Sequence, residues 1–141
     1  MKILIVTDAY FPQVNGVVRT LHETGEVLKS QGHTLEYITP QQFLTVPMPK
    51  YNEIRLSINV WPRVSNLINS IKPDAIHIAT EGPLGFMARR HCIKKGLKFT
   101  TSFHTRFDKY IKLYMPIIPD KWSEKFFCKF HNKAERILNT T

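Results

Sequence analysis

The sequence predicts an α/β fold in which a mostly parallel sheet is covered by helices on both faces. Three observations indicate this fold. Strand-like and helix-like segments alternate along all 141 residues, residues 3–6 are continuously apolar, and glycine or proline separates many of the segments. Apolar strands are typical of parallel sheets buried on both faces, and the alternation favours parallel pairing. We therefore expect one domain over residues 1–141.

The strand predictions follow from apolar or alternating runs that stop at polar residues, glycine or proline. Residues 2–6 are the clearest, because four apolar side chains follow Lys2 without interruption. Residues 41–52 contain Pro47 and Pro49 and predict an irregular loop. The predicted strands are residues 2–6, 34–39, 54–60, 75–79, 98–103 and 136–139.

The helix predictions rest on apolar stripes at helical spacing. The first helix begins where the period changes at Gly16, and Gly32 ends it. Pro62 and Pro83 fit the first turns of the second and third helices, because the N–H that proline lacks is unpaired there anyway. The predicted helices are residues 16–32, 62–71, 83–96 and 120–134.

Composition and charge narrow the class of protein. The hydrophobic content of 43% is that of a soluble globular chain, and no apolar run approaches the ~18–20 residues of a membrane span. The apolar run at residues 3–6 is too short for the core of a signal peptide, and Cys92 and Cys128 lack metal or redox spacing, so we expect a cytoplasmic protein. The net charge of +9 favours anionic partners or simply serves solubility. No nucleic-acid-binding signature accompanies the charge, so nucleic acid is the least favoured partner.

Polar loops follow three of the predicted strands. These loops are residues 7–16, 80–85 and 102–108. Ligands of parallel α/β sheets bind outside the carboxyl ends of the strands, so we expect the three loops to converge on one site. The dinucleotide-binding and Walker A glycine patterns are both missing.

Three sequence blocks resemble a known enzyme family. They are Asp8-Ala-Tyr-Phe-Pro-Gln-Val-Asn-Gly-Val-Val-Arg19, Ile76-His-Ile-Ala-Thr-Glu-Gly-Pro-Leu-Gly85 and Thr101-Ser-Phe-His-Thr-Arg-Phe107, with Phe130-His-Asn-Lys-Ala134 as a weaker fourth. In this order they resemble the Rossmann-like, acceptor-side N-terminal half of a GT-B fold retaining glycosyltransferase of family 4. The similarity is to bacterial and plant enzymes of the mannosyltransferase and sulfoquinovosyltransferase kind.

The resemblance implies a metal-independent hexosyltransferase without a cofactor. Its donor is a GDP- or UDP-linked sugar, and its acceptor is a glycolipid or a related sugar acceptor. The C-terminal donor-binding domain of that family is absent from residues 1–141, so we expect the chain to need a separate donor-binding half and to be inactive alone. The alternative is a non-catalytic module that binds a phosphorylated sugar or an anionic lipid head group.

The resemblance also implies roles toward the donor. His104 is the candidate catalytic residue, in contact with the transferred sugar, while Asn15, Gly16 and Arg19 are expected at the donor diphosphate. Backbone N–H groups at the start of a helix suit such an anion. The alternatives are a structural histidine, an N-cap role for Asn15, a glycine that only starts the helix, and an arginine in solvent.

Four residues are candidates for the acceptor side. Asp8 and Tyr10 lie in the first loop, Glu81 follows the strand at residues 75–79, and Arg106 follows His104. A role in folding is the alternative for Asp8 and Tyr10, solvation for Arg106, and capping of the next helix for Glu81. The remaining histidines are expected to be structural or at the surface: His22, His33, His77, His91 and His131.

The predicted C-terminal helix has an aromatic stripe beside a row of lysines. Trp122, Phe126 and Phe130 recur at helical spacing, and the lysines are Lys121, Lys125, Lys129 and Lys133. Such a helix suits the surface of an anionic membrane, which would place the protein peripherally on the inner face. The alternative is a helix that packs its aromatic side chains on the sheet, as α/β sheets require.

Overall fold

The structure, a computed structural model, describes residues 1–10, 16–48, 51–103, 125 and 128–139. Within these ranges, strands and helices alternate as the sequence predicts, and no described helix is long and apolar enough to cross a bilayer. The elements are β1 (Lys2–Val6), α1 (Gly16–Ser30), β2 (Thr34–Ile38), a 3-10 turn (Pro40–Gln42), β3 (Thr45–Met48), β4 (Tyr51–Ser57), α2 (Arg63–Ile71), β5 (Ala75–Ile78), α3 (Pro83–Lys95), β6 (Thr100–Phe103) and β7 (Arg136–Asn139).

Five strands form one parallel sheet in the order β2-β1-β5-β6-β7. The register places Ile5 beside His77 and Ile78 beside Thr101. The predicted parallel α/β fold is therefore confirmed. Because the strands are parallel, β1, β5 and β6 all end at the same side of the sheet, which we call the carboxyl edge.

Helices cover both faces of this sheet, and the alternation of side chains along β1 explains why. Leu4 and Val6 are 0% exposed and belong to the core that α2 and α3 share with the sheet. Ile5 points to the opposite face and packs with Leu21 of α1. Full burial of one such side chain stabilises the fold by about 1.5–3 kcal/mol. A strand buried on both faces has no polar face, which accounts for the apolar run in the sequence.

The helix ends that the sequence predicts are confirmed. Gly32, just beyond α1, has φ +91, and Gly96 caps α3 with φ +69. Both residues adopt the left-handed conformation that favours glycine. The Gly96 N–H also donates to the carbonyls of Cys92 and Ile93, so it satisfies the last turn of α3.

The prediction of an irregular loop at residues 41–52 is wrong. β3 and β4 form an antiparallel hairpin separate from the main sheet, and the register shifts between Pro47 and Met48. Both strands of a two-stranded hairpin are edge strands, where a proline is tolerated because its missing N–H need not face a partner. The strand predicted at residues 54–60 therefore begins earlier, at Tyr51, and pairs outside the parallel sheet.

Candidate functional site

The loops after β1 and β5 meet at the carboxyl edge through Asp8 and Thr80. The Asp8 N–H donates to Thr80 Oγ1 at 2.7 Å, and the Thr80 hydroxyl donates back to Asp8 Oδ2 at 2.7 Å. This reciprocal pair joins residues 72 positions apart in the sequence. Two of the three polar loops that the sequence predicts to converge are therefore in direct contact.

The Asp8 carboxylate also occupies the N-terminus of α3. Its Oδ1 accepts the Leu84 N–H at 2.8 Å and its Oδ2 accepts the Gly85 N–H at 3.3 Å. A negative charge there is favourable because the unpaired N–H groups make this end of a helix positive. Close packing explains both glycines. A Cβ on Gly82 would overlap the Asp8 carboxylate, and a Cβ on Gly85 would overlap the Thr80 carbonyl oxygen.

Burial raises the pKa of the Asp8 carboxyl above its usual 3.8, while hydrogen bonds from Thr80, Leu84 and Gly85 act in the opposite direction. Each of these contacts holds the turn between β5 and α3 against β1. Such contacts are those expected if Asp8 has a role in folding, which is the alternative that the sequence leaves open for it. Contact between Asp8 and an acceptor stays a prediction.

Glu81 is held by a histidine from the C-terminal part of the chain. Its Oε1 lies 2.8 Å from Nε2 of His131, whose Nδ1 lies 2.8 Å from Thr101 Oγ1. The Glu81 and His131 side chains are only 4% and 7% exposed. This network brings together the β5–α3 turn, strand β6 and the helical residues 128–131. The sequence analysis expects a structural or surface role for His131 and does not anticipate its contact with Glu81. The signal that pointed to His131 was its place in the fourth, weaker sequence block.

Two other histidines illustrate the structural role expected for His131. His77 Nδ1 and Nε2 lie 2.7 Å from Thr100 Oγ1 and 3.2 Å from Ser102 Oγ, so His77 ties β5 to β6. His91 of α3 is buried, and its Nε2 has no hydrogen-bond partner within the described part of the chain. Neither of these two is bonded to a carboxylate in its described contacts, whereas His131 is.

The first loop and the second half of α1 both contact Tyr37 of β2. The rings of Tyr10 and Tyr37 are 5.5 Å apart, and Tyr37 packs so closely on Gly25 that a Cβ there would overlap its hydroxyl. Gly16, the first residue of α1, is exposed, and a Cβ on it would meet nothing within 4 Å. Arg19 is exposed and lies 3.9 Å from Glu23. Such a surface pair adds little stability.

The comparison with known families decides what kind of protein this is. The family described as Glycosyltransferase Family 4 matches residues 14–141, which is most of the chain. The chain belongs to Glycosyltransferase Family 4. The predicted resemblance is therefore confirmed.

Several curated relatives support the family 4 assignment. An alpha-monoglucosyldiacylglycerol synthase of Streptococcus pneumoniae is 23% identical over 79% of this chain and 28% of its own length. A GDP-mannose-dependent alpha-mannosyltransferase of Mycolicibacterium smegmatis is 22% identical over 98% of the chain and 41% of its own length. A sulfoquinovosyl transferase of Arabidopsis thaliana is 26% identical over 79% of the chain and 24% of its own length. The chain thus spans less than half the length of these relatives. No solved structure matches.

The described residues include five of the eight predicted site residues of this family 4 chain: Asp8, Tyr10, Gly16, Arg19 and Glu81. The structure brings the loops of Asp8 and Glu81 together and leaves Gly16 and Arg19 exposed at the first turn of α1. The predictions for Asn15, His104 and Arg106 lie outside the described residues. Within the described ranges, no three His, Cys, Asp or Glu side chains are grouped closely enough to hold a metal ion.

Proposed function

We propose that the chain is the acceptor-binding half of a retaining, metal-independent hexosyltransferase. It would take a mannosyl- or glucosyl-type sugar from a GDP- or UDP-linked donor and pass it to a glycolipid or related acceptor, together with a separate donor-binding half. The family supports glycosyl transfer, and the names of the relatives support these sugars and a lipid acceptor. The observation that carries the proposal is the contact between the β1 and β5 loops at the carboxyl edge.

The first turn of α1 is the proposed place of the donor diphosphate. Neither a positive φ nor crowding by neighbouring atoms requires glycine at residue 16. A glycine that the fold does not require leaves room for a ligand to approach the backbone N–H groups of the helix start. In this proposal Asn15 and Arg19 assist at the diphosphate, and His104, the residue after β6, contacts the transferred sugar.

The acceptor is proposed to lie along the β1 and β5 loops, against Tyr10, Glu81 and Arg106. Asp8 contributes by holding the turn that carries Glu81, since its carboxylate is bonded to Thr80 and α3. Both oxygens of the Asp8 carboxylate are bonded to α3, whereas Glu81 uses only Oε1, in its contact with His131. A carboxylate oxygen suits an acceptor hydroxyl, which can donate a hydrogen bond to it.

The test combines binding and transfer with the purified chain. Dioctanoylglycerol and its α-glucosyl derivative serve as acceptor probes in calorimetry, and radiolabelled GDP-mannose and UDP-glucose serve as donors. We expect binding of at least one acceptor probe and no sugar transfer by the chain alone. Transfer by the chain alone would contradict the need for a second half. No binding of either probe would contradict the acceptor role.

The alternative, a non-catalytic module for an anionic ligand, is favoured by the net charge of +9. Mannose 1-phosphate and glycerol phosphate serve as its probes in the same calorimeter. Binding of these anions, with no binding of the neutral acceptors, would support the module and exclude the acceptor half.

We also propose a peripheral position on the cytoplasmic face of the membrane. Lys125, Lys129 and Lys133 are exposed and supply positive charge, whereas Phe130 is buried in the core and is unavailable to lipid. For Phe130 the structure thus matches the alternative in which the aromatic stripe packs on the sheet, and Trp122 and Phe126 lie outside the described residues. Sedimentation with anionic vesicles at low salt tests the proposal, and a chain left in the supernatant would refute it.

A further inference from the structure

The Glu81–His131 pair combines near-complete burial with a carboxylate that is only half engaged. His131 at Oε1 is the hydrogen-bond partner of this carboxylate among the described residues, so Oε2 retains its capacity to accept. Oε2 is not among the described side-chain atoms that are both fully enclosed and unpaired, so it reaches solvent at the carboxyl edge. A ligand hydroxyl can therefore approach Oε2 and donate a hydrogen bond to it.

His131 is itself fixed from two sides. Thr101 of β6 bonds to its Nδ1. The helical turn that carries it is held by Arg89 of α3, which donates through Nε to the Phe130 carbonyl and through Nη2 to the Lys129 carbonyl, both at 2.6 Å. A guanidinium suits the negative C-terminal end of a helix. Rotation of the His131 side chain away from Glu81 therefore breaks its contact with Thr101, and movement of its backbone breaks the contacts with Arg89.

The hydrogen-bond pattern places a proton on one ring nitrogen of His131. A carboxylate only accepts, so the imidazole must carry its proton on Nε2 to bond with Glu81. In the neutral ring Nδ1 then accepts the proton of the Thr101 hydroxyl. The proton on Nε2 thus holds Oε1 in place and orients the carboxylate.

We propose that His131 is a positioning residue that orients Glu81 to accept a hydrogen bond from a hydroxyl of the acceptor. This inference rests on the proposed acceptor-binding role and deepens it. It also specifies the chemistry of the acceptor at this point, because a carboxylate attracts a hydroxyl and repels a phosphate. The group next to Glu81 is therefore a sugar or glycerol hydroxyl.

The test measures calorimetric binding of dioctanoylglycerol and its α-glucosyl derivative by the full chain and its variants. His131→Leu keeps an apolar ring-sized volume but cannot hold Oε1, and Glu81→Gln removes the charge. We expect each to weaken binding about tenfold, the effect of losing one hydrogen bond to a charged group. His131→Gln can still donate an N–H to Glu81, so we expect it to restore affinity to within about threefold of the unsubstituted chain.

The matched control is His91→Gln, since His91 is a second buried histidine, and its Nε2 has no described partner. We expect it to leave binding unchanged. The imidazole N–H signal of His131 in NMR gives a readout independent of the ligand. We expect a hydrogen-bonded Nε2 proton in the unsubstituted chain and its displacement in Glu81→Gln.

The outcomes separate this inference from the proposal beneath it. If the unsubstituted chain binds neither probe, the acceptor role fails and this inference fails with it. If the chain binds and His131→Leu binds equally well, the positioning role alone is refuted. Loss of binding in His91→Gln to the same extent would also refute it, because the effect would then follow from any change in the buried layer. If His131→Leu does not fold, the Glu81→Gln and His131→Gln pair and the NMR signal decide.

Discussion

Replacing Asp8 with alanine tests whether one carboxylate holds the β1 and β5 loops together. The substitution removes the acceptors of the Leu84 and Gly85 N–H groups and of the Thr80 hydroxyl. The hydroxyl can turn to another acceptor, but the two N–H groups belong to the fixed first turn of α3. The change therefore leaves two backbone donors unpaired at the start of that helix.

The expected loss is about 3 kcal/mol of unfolding free energy. Each unpaired buried donor costs about 1–3 kcal/mol, and loss of the charge at the helix end adds about 0.3–1 kcal/mol. The Gly85 bond is long, at 3.3 Å, and the burial that raises the Asp8 pKa means that removing the charge recovers part of the cost. These two facts place the loss toward the lower end. It corresponds to a fall in Tm of about 6–12 °C for a chain of this size.

Urea unfolding followed by circular dichroism measures this loss, and Asp74→Ala is the matched control. The Asp74 carboxylate also links the start of β5 to β1, but at the opposite edge of the sheet, where it accepts the exposed Lys2 N–H at 2.7 Å. Lys2 N–H can bond to water instead, so we expect a loss of about 1 kcal/mol or less. If Asp8→Ala lowers the unfolding free energy no more than Asp74→Ala does, the Asp8 carboxylate does not organise the carboxyl edge.

Three further predictions concern protonation, packing and reactivity. Burial raises the Asp8 pKa above 3.8, so the stability that protonation of Asp8 contributes is present below pH 3.8 and lost as the pH rises through the folded-state pKa. The unfolding free energy of the unsubstituted chain minus that of Asp8→Asn should therefore shrink as the pH rises through that window. A difference that stays constant with pH would refute this prediction. In thermal unfolding, Gly85→Ala should cost more than about 2 kcal/mol through overlap with the Thr80 carbonyl, whereas Gly16→Ala should cost nothing measurable, and equal effects would contradict the packing argument. Burial raises the pKa of the Cys92 thiol to about 11, so a thiol reagent near neutral pH should modify exposed Cys128 and reach Cys92 only after denaturant is added; immediate reaction of both would overturn this expectation.

The sequence predicts the parallel sheet well because its signals are local. The apolar run of β1 and the glycines after α1 and α3 report burial and backbone conformation within a few residues of themselves. The hairpin of β3 and β4 was missed for the opposite reason. A proline such as Pro47 argues against a strand that pairs on both sides. Only the tertiary pairing reveals that β3 pairs with β4 alone among the described strands.

The interior of the site could not be predicted, since its contacts join distant parts of the chain. Nothing near α3 identifies its cap, because Gly82 has no side chain and the capping carboxylate is Asp8. Likewise, the partner of Glu81 is His131, 50 positions away. Convergence of the loops follows from the strand order alone, but these partners depend on side-chain placement within the assembled fold.

The two carboxylates at the carboxyl edge give that edge a chemical polarity. Asp8 occupies the N–H groups of α3, so an anionic phosphate would find them already bonded and would also meet the charge of Glu81. The start of α1 has no acidic residue in its first turn, and it carries Gly16 with open space around it. A ligand with a diphosphate at one end and hydroxyls at the other would therefore lie in one orientation, with the diphosphate toward α1 and the hydroxyls toward the β5–α3 turn. This orientation agrees with the proposed function, in which the donor diphosphate lies at the start of α1 and the acceptor lies near Glu81.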